Sequence, residues 1–409
     1  MAQGAQPIYF KGFNGIRFIA AAAVIVHHIE EYKSVFLFGR EDLWARPFVY
    51  QLGRLGVSLF FVLSGFLITY LLLAEKQKTG GIAIRKFYIR RVLRIWPLYF
   101  LVVGLGLFVW PHIPLLQTPT LMGDAGADFW QKLPFYALVL PNFAAALYGN
   151  VPMVSHAWSI GVEEQFYLIW PWLILSRNPK RTLQVGLTVL GGLAIWFLYE
   201  RFVARDAYLG DNPERTPFVV LATFLAQFRI GCMAIGGLGA WLLFSQHPVL
   251  RLVYQRRVQW AVYGVLFLCF VFSVRPPGFN YEFYAVFFCF LLLNLAGNPA
   301  SLVKLDTAVT RFMGDISYGL YMYHPLLITL TISLLLRYWP GAVVQQESVQ
   351  PLFVVLLYAG SFGLTTAVAW LSFTYFEKPF LALKDRFAVV ASSRRAAPVS
   401  APAPTSTAP

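Results

Sequence analysis

Residues 8–30, IYFKGFNGIRFIAAAAVIVHHIE, read as a membrane-spanning helix that carries one arginine and two histidines within an apolar run. Ionisable side chains at membrane depth are costly, and where they occur they mark function. Arg17 and His28 stand eleven positions apart, which at 100° per residue returns to within about 20° of the same face, roughly 16 Å further along the axis. One stripe of one helix therefore carries both, with His27 about 100° round from it. The plainer alternative seats Arg17 and His28 in opposite headgroup layers, each snorkelling to water.

The rest of the chain supports a membrane setting. Of 409 residues, 58% are hydrophobic, 17% aromatic and 13% charged, and the mean hydropathy is +0.60. Soluble domains do not have this composition. Apolar segments recur near 13–30, 54–74, 95–113, 133–149, 158–176, 183–200, 217–244, 258–275, 282–297, 314–336 and 352–376. The fold class is thus an all-α, polytopic membrane protein. No charged leader with a cleavage site precedes the first span, so that helix is expected to be retained. Cys232, Cys269 and Cys289 lie in apolar segments and suit packing, not a disulfide framework or a metal site. No metal is expected, and the net charge of +14 fits basic loops on one membrane face better than nucleic-acid binding.

Loop charges orient the spans. EKQKTGGIAIRKFYIRRVLR, residues 75–94, holds seven Lys or Arg against one acid and is expected in the cytoplasm, together with the N-terminus. The basic loop 177–181, RNPKR, asks for the same side. Both fit only if LPFYALVLPNFAAALYG, 133–149, does not cross fully. It is short and holds Pro134, Pro141 and Asn142, so it reads as a re-entrant or interfacial piece. About ten spans then form one membrane domain over residues 1–385, with both termini cytoplasmic. Residues 386–409 are a Pro, Ala and Ser-rich tail expected to be disordered.

Polar residues cluster in four further stretches. In 53–73, Gly53, Gly56, Ser58, Ser64 and Gly65 allow close helix approach. In RKFYIRRVLRIWPLYF, Arg90, Arg91 and Arg94 lie within about one turn, which is either a positive-inside anchor or a polyanion clamp. In SHAWSIGVEEQFYLIWPW, Ser159, Glu163 and Tyr167 share a stripe while Glu164 points elsewhere. A carboxylate there needs a cation or water. In GDISYGLYMYHPLLI, Ser317, Tyr321 and His324 share a face, and Pro325 removes the hydrogen bond to the Tyr321 carbonyl. His324 then either lines a cavity or satisfies that freed backbone.

Taken in order, NGIRFIAAAAVIVHH, SLFFVLSGFLI, RRVLRIWPLY, HAWSIGVEEQFYLIWP and DISYGLYMYHPL resemble the membrane acyltransferase-3 family. Those multispanning bacterial enzymes O-acylate sugars, polysaccharides, lipopolysaccharide, peptidoglycan precursors and some macrolides. Arg17 and His28 match the family's Arg-x10-His, Arg91 and Arg94 its Arg-x-x-Arg, and Trp158, Ser159, Glu163 and Tyr167 its Trp-Ser-x3-Glu-x3-Tyr. Asn14 departs from the Asp of many members, and the hydrolase-like domain that follows the last span in some is not expected here.

The resemblance implies an inner-membrane O-acyltransferase acting on a carbohydrate or glycoconjugate, with acyl-CoA, acetyl-CoA first, as donor. Its phosphates would sit on Arg90, Arg91 and Arg94. His28 would be the general base, histidine being the side chain that titrates nearest neutrality. Glu163 would orient that imidazole and Arg17 would align the donor. Trp158, Ser159, Tyr167, Tyr321 and His324 would line the pocket. The rival from another class is a transporter or flippase using Arg17, His28 and Glu163 as a proton relay. It predicts related halves in the hydropathy pattern, and none is found.

Overall fold

Helix accounts for nearly all regular structure, and no strand occurs among the described residues. The computed structural model describes residues 8–37, 47–117, 119, 126, 128–175, 184, 188, 192, 229–340 and 350–390. The helices are α1 (Phe13–Phe36), α2 (Pro47–Thr79), α3 (Ile84–Phe108), α4 (Phe129–Ala137), α5 (Pro141–Tyr148), α6 (Trp158–Leu175) and α7 (Ile230–Phe244). They continue with α8 (Arg256–Val271), α9 (Asn280–Gly297), α10 (Ala308–Asp315), α11 (Ser317–Tyr338), α12 (Pro351–Ser372) and α13 (Lys378–Asp385). A π-helical turn, Phe373–Glu377, joins the last two.

Five helices among the described residues are long and apolar enough to cross a membrane: α2, α3, α9, α11 and α12 with its continuation into α13. The expected spans at 183–200 and in the first part of 217–244 lie outside the described residues, as do the loop 177–181 and the tail 391–409. The fourth apolar run forms two short helices, α4 of nine residues and α5 of eight, broken at Val139 with φ 58°. Each rises only about 13 Å, well short of the roughly 30 Å hydrocarbon core. Residues 386–390 lie against the helices: Arg90 Nη1 donates to the Phe387 carbonyl at 2.9 Å and Lys78 Nζ to that of Val389 at 3.2 Å.

α1 is the axis of the fold, with α2, α10, α11 and α12 packed round it. Its Ala20, Ala21, Ile25 and Ile29 are fully buried. Near its C-terminal end Lys33 Nζ pairs with Glu30 Oε2 at 2.7 Å, and Tyr358 OH donates to Glu30 Oε1 at 2.7 Å. Large apolar side chains such as Leu168, Trp172, Phe267 and Val355 face outward, as lipid contact requires.

Lipid removes the hydrophobic drive between helices, so close approach must supply the attraction. α2 and α7 form the most intimate crossing. A methyl group on Gly65 would strike the Met233 carbonyl, and one on Gly236 the Val62 carbonyl. Gly65→Ala and Gly236→Ala should each cost about 1–3 kcal/mol through overpacking, read as a lowered unfolding midpoint of the detergent-solubilised protein. An unchanged midpoint in both would contradict this crossing.

Candidate active site

Five helices bring polar side chains to one cavity of about 130 Å³. α1 contributes Arg17, α3 contributes Arg91 and Arg94, α6 contributes Ser159, Glu163 and Tyr167, and α11 contributes Ser317, Tyr318 and Tyr321. Ser64 of α2 faces the same space. The expected stripe on α6 is therefore real, and Glu164 does point away, accepting from Trp96 Nε1 at 3.1 Å.

Inside the cavity the carboxylate and the cations each have defined partners. Glu163 Oε1 accepts from Ser64 Oγ and from Tyr167 OH. It also lies close enough to Arg91 for a favourable charge interaction. Arg91 is half-buried, 5.7 Å from the ring centroids of Phe87 and Tyr167, and its buried Nε has no hydrogen-bond partner. Arg17 Nη1 donates to Asn14 Oδ1 at 2.6 Å, and Asn14 Nδ2 donates to Asp315 Oδ1 at 3.2 Å. The amide at position 14 thus links Arg17 to a carboxylate on α10.

Arg90 faces elsewhere. Its Nη2 meets Glu75 Oε2 at 3.2 Å, and both residues line a smaller cavity of about 40 Å³ with Arg91 and Lys384. Arg91 lines both spaces. The expected triple clamp is split, because Arg90 points away from the Arg91 and Arg94 side of α3 and finds an acid on α2.

His28 does not line the larger cavity. Its Nδ1 lies 2.9 Å from the Val24 carbonyl and 3.2 Å from His324 Nε2, and its Nε2 lies 3.8 Å from Glu31 Oε2. The carboxylate beside His28 is therefore Glu31, while Glu163 is occupied by Ser64 and Tyr167. His324 Nδ1 meets the Tyr321 carbonyl at 2.7 Å. Tyr321 OH lies 2.6 Å from Ser159 Oγ and donates to the His156 carbonyl at 2.9 Å, so Tyr321 bridges the cavity wall to the histidines. Trp158 takes the Arg229 guanidinium over its ring at 5.1 Å and meets Phe61 edge to face, and it lies outside the cavity lining.

Sequence reasoning missed His156, Asp315, Glu31, Ser64 and Glu75. His156 and Asp315 sit inside the quoted motifs without a role there, and Ser64 carried only a packing role in the small-residue helix. His156 packs its ring 5.1 Å from that of His324, and neither of its nitrogens has a hydrogen-bond partner. Burial pushes His156 down to about 3.

His27, His28 and Glu31 place three ligand-capable atoms within 4.8 Å of one another. That spread is looser than the roughly 3.4 Å edges that bonds of about 2.1 Å impose round tetrahedral zinc. His27 Nδ1 also lies 3.1 Å from the Val49 carbonyl. These residues do not fit a metal in this arrangement.

A helical membrane protein with an arginine-lined cavity between its helices, one wall of which touches the buried His324 and through it His28, is the class that fold and site define. The family model described as an acyltransferase domain matches residues 10–373. The chain belongs to that acyltransferase-3 family.

It is 29% identical over 394 residues to the peptidoglycan O-acetyltransferase OatA of Listeria monocytogenes, covering 91% of this chain and 56% of that protein. It is 26% identical over 389 residues to the putative peptidoglycan O-acetyltransferase YrhL of Bacillus subtilis, covering 91% and 55%. A putative O-acetyltransferase of Staphylococcus aureus is 25% identical over 395 residues, with 91% and 57% covered. The chain spans little more than half the length of these relatives. No solved structure matches.

Proposed function

We propose that this chain is a membrane O-acyltransferase moving an acyl group, acetyl first, from acyl-CoA to a hydroxyl of a carbohydrate or glycoconjugate. The observation that carries this reading is the cavity itself. It sets Arg17, Arg91 and Arg94 beside Ser159 and Tyr321, and Tyr321 leads directly to the His28–His324 pair. The names of the relatives make a cell-wall glycan the first acceptor to try.

Each residue then has a task. Arg91 and Arg94 hold donor phosphates by paired, charge-assisted hydrogen bonds, with Arg90 at the adjoining smaller cavity. Arg17, braced through Asn14, aligns the donor. Glu163 supplies counter-charge among the arginines, which leaves Glu31 as the acid for His28. His28 Nε2 takes the proton of the acceptor hydroxyl as its oxygen attacks the thioester carbonyl carbon. The carbon–sulfur bond breaks, and the departing thiolate takes the proton from His28. The charge of the basic loop 75–94 supports a cytoplasmic arginine end, the side on which acyl-CoA is made.

Purified protein in detergent, given acetyl-CoA and a panel of glycans, should release free thiol only when a suitable acceptor is present. Acceptor-independent release at the same rate, or no binding of acyl-CoA at all, would overturn the reading.

A further inference from the structure

The line of contacts from Pro325 through Tyr321 and His324 reaches His28 itself, yet the reaction above gives His324 no task. We infer that His324 is a positioning residue that holds His28 with Nδ1 protonated and Nε2 bare, and that Pro325 sets His324 up to do so. The inference rests on the proposed role of His28 as base.

The argument runs from donors to acceptors. A proline has no N–H, so the carbonyl four residues before Pro325, that of Tyr321, loses its helical donor. That carbonyl can only accept, and His324 Nδ1 stands 2.7 Å from it, so Nδ1 of His324 bears the proton. In a neutral imidazole the other nitrogen is then an acceptor. His324 is fully buried, with His156 on its far side, itself neutral through burial, so a second proton on His324 has no counter-charge there. Nε2 of His324 therefore presents a lone pair to His28 Nδ1 at 3.2 Å.

His28 Nδ1 must then donate. Its other neighbour, the Val24 carbonyl at 2.9 Å, is also an acceptor, which gives the same assignment. That carbonyl lies four residues before His28 in α1 and already takes a helical bond. His324 is the one acceptor from another helix. With Nδ1 protonated, the lone pair of His28 is on Nε2, the nitrogen facing Glu31. When Nε2 takes a proton, the bond from Nδ1 to His324 becomes charge-assisted.

Nitrogen-15 spectra of histidine-labelled protein test the assignment without any substrate. His28 signals are identified by their loss in His28→Ala, and those of His324 by their loss in His324→Phe. Bare Nε2 on both rings is the expected result, and a protonated Nε2 on His28 overturns the inference. Kinetics then test the consequence. His324→Phe, which keeps a ring but removes the acceptor, should lower kcat about 10- to 100-fold with the donor KM unchanged. His324→Gln, whose side-chain oxygen can accept from His28, should recover most of that loss. Full activity in His324→Phe, or equal loss in both variants at equal thermal stability, removes the positioning role. Full activity in His28→Ala would instead sink the reading of His28 as base, which separates the two failures.

Discussion

His28→Ala slows acyl transfer to a glycan hydroxyl by about 10²- to 10⁴-fold, the range that a positioned general base contributes, while the donor KM stays near the wild-type value. The split follows from position. His28 lies outside the lining of the arginine cavity, at the far side of Tyr321 and His324. Removing it takes away the proton acceptor and leaves Arg17, Arg91 and Arg94 in place. Acceptor-dependent thiol release, measured against donor concentration, gives both constants. His27→Ala is the control on the same helix, because His27 packs on Gly53 and bonds the Val49 carbonyl. It should cost stability before turnover. Wild-type kcat in His28→Ala would assign the base elsewhere, and Glu163 would be the next residue to change.

Arg91→Ala/Arg94→Ala weakens apparent donor affinity by about 10²- to 10⁴-fold, since each hydrogen bond between charged groups contributes about 1.5–3 kcal/mol. Turnover at saturating donor should fall much less. Arg91 lines the larger cavity, and its Nε has no hydrogen-bond partner. Arg90→Ala provides the contrast. Its guanidinium neutralises Glu75, which is 2% exposed, and its loss leaves a buried acid uncompensated. That variant should unfold earlier more than it binds donor poorly. Titration of acetyl-CoA binding by calorimetry, beside thermal unfolding, separates the two patterns. A double arginine variant that loses kcat with donor affinity intact would remove these residues from the donor site.

Contacts that follow from one helix were legible in the sequence, and contacts between helices were not. The spacing of Ser159, Glu163 and Tyr167 put them on one stripe, and the structure turns all three to the cavity. Pro325 announced a free Tyr321 carbonyl, and His324 does satisfy it. Both rest on the fixed pitch of a helix, which needs no knowledge of neighbours. The partner of Glu163 could not be read this way. Ser64, on another helix, takes it, and the acid near His28 proves to be Glu31, three positions along the same turn. Arg90 looked equivalent to Arg91 and Arg94 by spacing, but only the packing of α2 on α3 shows that Glu75 waits on one side of the helix. Trp158, matched by motif, is drawn away to Arg229 by cation–π contact from the segment before α7.

Glu75 gives the smaller cavity a resident anion of its own. Anything negative that approaches Arg90 there must displace a tethered carboxylate, which never diffuses away. A singly charged ion exchanges one contact for another and gains little. A ligand with several phosphates can engage Arg91 and Lys384 together and leave the Arg90–Glu75 pair intact. On the proposed function, a single acid on α2 would then sort anions at the smaller cavity by how many charges they carry, turning singly charged ones away from Arg90.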